Sequence, residues 1–116
     1  MHRTCFRGSI LACSLLTAGS GLFLPSLAQA QETLVTGQVA LAEGHEVPTC
    51  RRVKLHADSG NDMWFRLPDT GTDNSILAVA LTALTASRKV QVAYNPALTS
   101  GCGTEPKILY ISILGN

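Results

Sequence analysis

The chain has 116 residues, 46% of them hydrophobic, 15% charged and 5% aromatic, with a formal net charge of +1. That is room for one small apolar domain and no more. The near-neutral charge argues against a general nucleic-acid binder, which shows a clustered basic excess to neutralise phosphates, and against charge-driven attachment to membrane surfaces.

The first thirty residues carry Arg3 and Arg7, no acid, and an apolar stretch from Ile10 to Leu24. This is the plan of a secretory signal peptide. Ser26-Leu27-Ala28-Gln29-Ala30 places small residues three and one positions before a cut after Ala30. The apolar stretch is 15 residues long and contains Gly19 and Gly21, short of the roughly 20 residues a spanning helix needs. Ile10-Leu11-Ala12-Cys13 has the form of a lipobox, but almost no apolar run precedes it. Cleavage removes two of nine basic residues and none of the eight acids, so the mature chain of 86 residues has a net charge of −1. It also removes Cys5 and Cys13, leaving Cys50 and Cys102. Two cysteines in an exported chain, secreted or periplasmic, predict one disulfide, the alternative being two separate thiols.

Residues 33–42 (TLVTGQVALA) predict a first strand, with Val35, Val39 and Leu41 on one parity and Gly37 at a bulge or bend. Glu43 to Cys50 reads as a loop holding Gly44 and Pro48. Residues 51–57 and 63–67 both alternate, Val53, Leu55 and Ala57 on one face of the first, Met63, Phe65 and Leu67 on one face of the second. Asp58-Ser59-Gly60-Asn61-Asp62 between them is a turn signal, so the pair predicts a hairpin. Directly opposed residues share a face, so only an odd turn, of three or five residues, unites the apolar sets. The expected partners are Leu55 with Phe65 and Val53 with Leu67.

After a break at residues 68–74, where Asp73, Asn74 and Ser75 suit a helix start, Ile76 to Ser87 predicts a helix. Its apolar residues Ile76, Leu77, Val79, Ala80, Leu81, Ala83 and Leu84 surround most of the circumference, so it is expected to be largely buried. Arg88 and Lys89 stand at its C-terminal end, where cations suit the helix dipole. Residues 89–94 and 107–114 complete the set as strands, the last with Leu109, Ile111 and Ile113 on one parity and Tyr110 and Ser112 on the other. The loop between them, Asn95 to Pro106, carries Cys102.

Five short strands with one helix between the third and fourth are too few for a sandwich, and closing the sheet removes its exposed edges. The predicted fold is mainly β, a five-stranded OB-like Greek-key barrel plugged by the helix. Cys50 falls in the loop joining strands 1 and 2 and Cys102 in the loop joining strands 4 and 5. Such a barrel brings both loops to one rim, so the strand order and the disulfide support each other.

With its leader, strands, the helix SILAVALTALTASR, then KVQVAYNP, a cysteine-bearing loop and a closing KILYISIL, the chain resembles small exported bacterial OB-fold proteins, among them the B subunits of pertussis-like and subtilase-type toxins. The resemblance is one of architecture over most of the mature chain and is carried by no specific motif. It implies binding of a cell-surface glycan and assembly into a ring pentamer. No glycan-contacting residue of that family matches a position here, and none is carried over.

Few residues carry a chemical signature. His45, Glu46 and Cys50 lie close in sequence, but their spacing fits neither HExxH nor a CxxC knuckle, and no metal or other cofactor is called for. Glu43 with Glu46, and Asp58 with Asp62, are carboxylate pairs that turn chemistry explains. No nucleophile elbow or phosphate-binding loop is present, and no catalytic residue is assigned. The candidate ligand-binding surface is the outward face of the hairpin, where the expected register sets His56 near Trp64 and Lys54 near Arg66, with Arg52 further along. A stacking ring beside cations suits a glycan or another small polar ligand bearing a carboxylate. The expectation is therefore an exported, non-enzymatic binding module, with a periplasmic structural or inhibitory protein that binds another protein by strand edge or loop tip as the alternative.

Overall fold

The computed structural model describes residues 32–115. The leader expected at residues 1–30 lies outside the described residues. Five strands, β1 (Thr33–Glu43), β2 (Arg52–Ala57), β3 (Asp62–Arg66), β4 (Lys89–Thr99) and β5 (Pro106–Ile113), are joined in chain order, with one helix, α1 (Ser75–Ala86), between β3 and β4. They close into a barrel in the order β1-β2-β3-β5-β4. Every contact in the ring is antiparallel except that of β3 with β5, which is parallel and rests on the single pair Arg66 and Lys107. The mainly β, OB-like barrel expected from the strand order is thus the fold observed.

β1 serves two neighbours: Thr33 to Gln38 pair with β4 and Gly37 to Glu43 with β2. Gly37 is not a bulge, because it pairs in register with both Ala57 and Val90. The irregularity falls between Val39 and Leu41. Gly37 is needed for a different reason: a Cβ there would overlap the His56 carbonyl oxygen and lie 2.7 Å from Ala57 Cα.

The β2–β3 hairpin turns over three residues, Asp58 to Gly60. Ala57 N–H donates to Asn61 O at 2.9 Å and Gly60 N–H to Ala57 O at 2.8 Å, with Gly60 at φ +100°, a conformation glycine adopts freely. Leu55 consequently pairs with Met63 and Val53 with Phe65. The odd parity is as expected, but the partners differ by two residues because Asp62 joins the strand instead of the turn.

β5 departs from simple alternation. Ala93 pairs with Tyr110 and Tyr94 with Ile108, so Leu109 is skipped. This bulge sends Ile108 and Ile111 inward and leaves Leu109 and Tyr110 exposed, correcting the expected grouping of Leu109 with Ile111. β4 also runs five residues beyond its expected end at Tyr94.

α1 is less buried than its apolar content suggests. Only Ala80 and Ala83 are fully covered; Ile76, Leu77, Val79 and Leu84 pack partly on the core, and Leu81 is 45% exposed. Alanine at the two contact points lets the helix backbone come close to the barrel. At its start Asn74 makes no side-chain cap; Asp73 Oδ1 instead accepts the Ser75 N–H at 2.9 Å. At its end Ser87 turns left-handed, and the Ser87 and Arg88 N–H groups donate to Leu84 O and Ala83 O. The Arg88 guanidinium reaches Leu114 O and Lys89 pairs with Asp58, so their charges have partners other than the helix end.

The core is apolar. Phe65, Leu55, Leu67 and Ile108 are its largest fully buried side chains, followed by Val53, Val90 and Val92, and no polar or charged residue is buried among the described residues. Phe65 meets Tyr94 edge to face at 5.0 Å between ring centroids. No described helix is long and apolar enough to cross a membrane.

Candidate functional site

Strand alternation turns Val53, Leu55, Ala57 and Phe65 into the core and places Arg52, Lys54, His56, Trp64 and Arg66 on the outer face. The register differs from the one expected: Lys54 is opposite Trp64, Arg52 opposite Arg66 and His56 opposite Asp62. Trp64 is therefore beside Lys54 and diagonal to Arg52, not beside His56. The Arg52 guanidinium carbon is 4.4 Å and Lys54 Nζ 5.4 Å from the Trp64 ring centroid, both within cation–π range.

Each of the three basic side chains has a carboxylate partner. Arg52 Nε donates to Glu43 Oε1 at 2.6 Å, Lys54 Nζ lies 3.6 Å from Asp62 Oδ2, and His56 Nδ1 is 2.8 Å from Asp62 Oδ1. The hydrogen bond from Arg52 holds the Glu43 carboxyl below its usual range, and the same bond raises the Arg52 pKa. Asp62 is lowered first by its bond with His56 and then by the charge of Lys54. The face is thus a ring set among alternating charges, with Glu43 and Asp62 as members that the sequence reading assigned to turns. The signal that finds Glu43 is the β1–β2 ladder, which sets it opposite Arg52.

Arg66 belongs to the rim. Its Nε donates to Glu105 Oε1 at 2.9 Å and its terminal nitrogen to Cys50 O at 2.6 Å, and its side chain is only 14% exposed. Glu105 is lowered mainly by that bond. Arg66 therefore braces the loops beside the disulfide, while Arg52, Lys54 and Trp64 form the accessible group, with His56 exposed at the hairpin end.

The rim itself is tied several times. Cys50 and Cys102 form the disulfide, with Cα atoms 5.2 Å apart across 52 residues of sequence. Ser100 Oγ donates to Thr49 O at 2.6 Å. Arg51, unremarked in the sequence, donates to Pro48 O, Asn74 Oδ1 and Pro68 O, joining three segments. With its sulfur in the disulfide, Cys50 has no thiolate to offer a Cys–His pair. His45 Nδ1 accepts the Val47 N–H at 3.0 Å within its own loop.

The chain matches no family model and no curated protein sequence.

Proposed function

We propose that the chain is an exported, non-enzymatic binding module whose β2–β3 outer face recognises a glycan or another small polar ligand. The observation that carries this reading is Trp64 held beside Arg52 and Lys54 on one sheet face, with Glu43 and Asp62 as their partners. Such a surface offers an apolar ring for stacking on a sugar face and, around it, aligned donors and acceptors for hydroxyl groups. The ion pairs are at the surface, where they contribute little, so a ligand hydroxyl or carboxylate exchanges into them at small cost. Export rests on the leader pattern at residues 1–30 and is supported by the disulfide, a bond that persists in oxidising compartments.

The test is a glycan-array screen of the disulfide-intact protein beside Trp64→Ala and Arg52→Gln. Retention of a defined glycan by the native protein, and its loss in both variants at unchanged thermal midpoint, is expected. A screen without any retained glycan, or retention insensitive to both substitutions, contradicts the assignment.

A second reading, binding to another protein or to copies of itself, is favoured by one observation. Leu34, Ala93 and Tyr110 stand in register across β1, β4 and β5, with Leu34 and Tyr110 exposed on either side of a covered Ala93. An apolar row of this kind suits a protein surface. Native mass spectrometry distinguishes a closed ring, a complex with an exported partner and a monomer.

A further inference from the structure

A cleft of about 300 Å³ opens near the ends of α1 and β5, lined by Gln38, Ser87, Arg88, Lys89, Leu114 and Gly115. Its walls follow from the ladders. Gln38 of β1 is opposite Lys89 of β4, and Leu114 N–H donates to Lys89 O at 2.9 Å, one step beyond the Val90–Ile113 pair. One arm of the Arg88 guanidinium donates to Leu114 O at 2.9 Å, which fixes the group at the cleft. Lys89 Nζ is 2.9 Å from Asp58 Oδ1, and both side chains are about half exposed. The Ala83 and Leu84 carbonyls accept N–H groups from Arg88 and Ser87, so those helix-end acceptors have partners of their own. The polar side chains lining the cleft are a guanidinium and an ammonium, which only donate, and an amide and a hydroxyl, which can both donate and accept.

The geometry points to a second binding site in this cleft, for a small oxyanion whose carboxylate or phosphate group bridges Arg88 and Lys89. The volume is at the lower end of ligand-sized sites, which suits a small organic acid or phosphate. Arg88 keeps part of its planar fork for two oxygens of the anion, and Lys89 adds a point charge. Because Leu114 already holds the guanidinium, less side-chain freedom is lost on binding. The site shares no residue with the Arg52–Lys54–Trp64 group. It does connect to it, since Lys89, Gln38, His56 and Asp62 form one paired row across β4, β1, β2 and β3.

An NMR titration of the disulfide-intact protein with inorganic phosphate, and separately with acetate, tests this. Saturable amide shifts are expected at Gln38, Ser87, Arg88, Lys89 and Leu114, with affinity weakened at least about tenfold in Lys89→Gln and in Arg88→Gln and unchanged in Trp64→Ala. Lys89→Gln keeps the test decisive where Arg88→Gln disturbs the end of β5, because the Lys89 ammonium pairs with an exposed carboxylate and its side chain is itself about half exposed. Saturation by phosphate alone or by acetate alone names the anion class. Shifts that do not saturate, or that persist unweakened in Lys89→Gln, overturn the proposal without touching the Trp64 reading.

Discussion

Gly37 is the residue at which the barrel tolerates no side chain, because β1 leaves one neighbour and meets the other there. Gly37→Ala is expected to lower the unfolding free energy by about 3 kcal/mol, read by urea denaturation, since the atoms a methyl would meet belong to the backbone of β2. The sequence marks Gly37 as special but not why, because the reason lies in the neighbouring strand. Arg66 teaches the same lesson. Alternation puts it on the outer face with Arg52 and Lys54, yet its partners, Glu105 and the Cys50 carbonyl, are contributed by loops whose approach no local pattern reports. Glu43, Asp62 and Glu105 all have lowered pKa values from their hydrogen bonds with Arg52, His56 and Arg66 respectively. The folded state therefore binds fewer protons than the unfolded chain. The stability they supply is complete above the unfolded carboxylate range near pH 4 and is lost as pH falls through their lower folded values. Urea midpoints measured at about pH 6 and about pH 3 are expected to differ less in Glu105→Gln than in the native protein; an equal difference would remove Glu105 from this account.

At the level of elements, every strand and the helix were legible from periodicity and turn residues, while their partners and boundaries were not. The hairpin shows the division clearly. Parity was readable because only one parity unites Val53, Leu55 and Phe65, but the choice between two odd turns depends on Gly60 at positive φ and on Asp62 bonding His56 across the strands. Shifts of register near Ala40, at Leu109 and between Tyr94 and Thr99 are invisible in a binary pattern because a skipped residue changes the face of everything beyond it. Helix burial was overestimated for a related reason. An apolar circumference does not require cover on every side, and Leu81, Thr82, Thr85 and Ala86 line an outward groove on α1. The two cysteine-bearing loops were readable as neighbours from strand order alone. Replacing Cys50 and Cys102 together by alanine is expected to cost about 4 kcal/mol for a loop of this length, measured as a lower urea midpoint that reductant does not lower further.

On the scale of the whole molecule, the barrel carries a tryptophan face on β2–β3, a braced disulfide rim beside Arg66, and a cleft with two cationic side chains at the ends of α1 and β5. The row Lys89–Gln38–His56–Asp62 connects the cleft to the tryptophan face. In the sequence the β2–β3 face stands out because Trp64 interrupts an otherwise charged parity. That pattern misjudges the electrostatics, since the acids that pair the cations come from β1 and from the hairpin end. That pairing lessens the weight of a ligand carboxylate and favours hydroxyl groups, and raising salt is expected to weaken the proposed glycan binding only slightly, because ion pairing supplies little of it. A steep salt dependence in a binding titration would show the opposite balance.

Trp64 is the only tryptophan in the chain, so its fluorescence reports on the proposed site alone. Titrating the disulfide-intact protein with a glycan retained on the array is expected to give a saturable change in tryptophan emission, and Arg52→Gln is expected to weaken the apparent affinity about tenfold. An emission unchanged at glycan concentrations that saturate binding by an independent method would place the ligand elsewhere on the barrel and contradict the account.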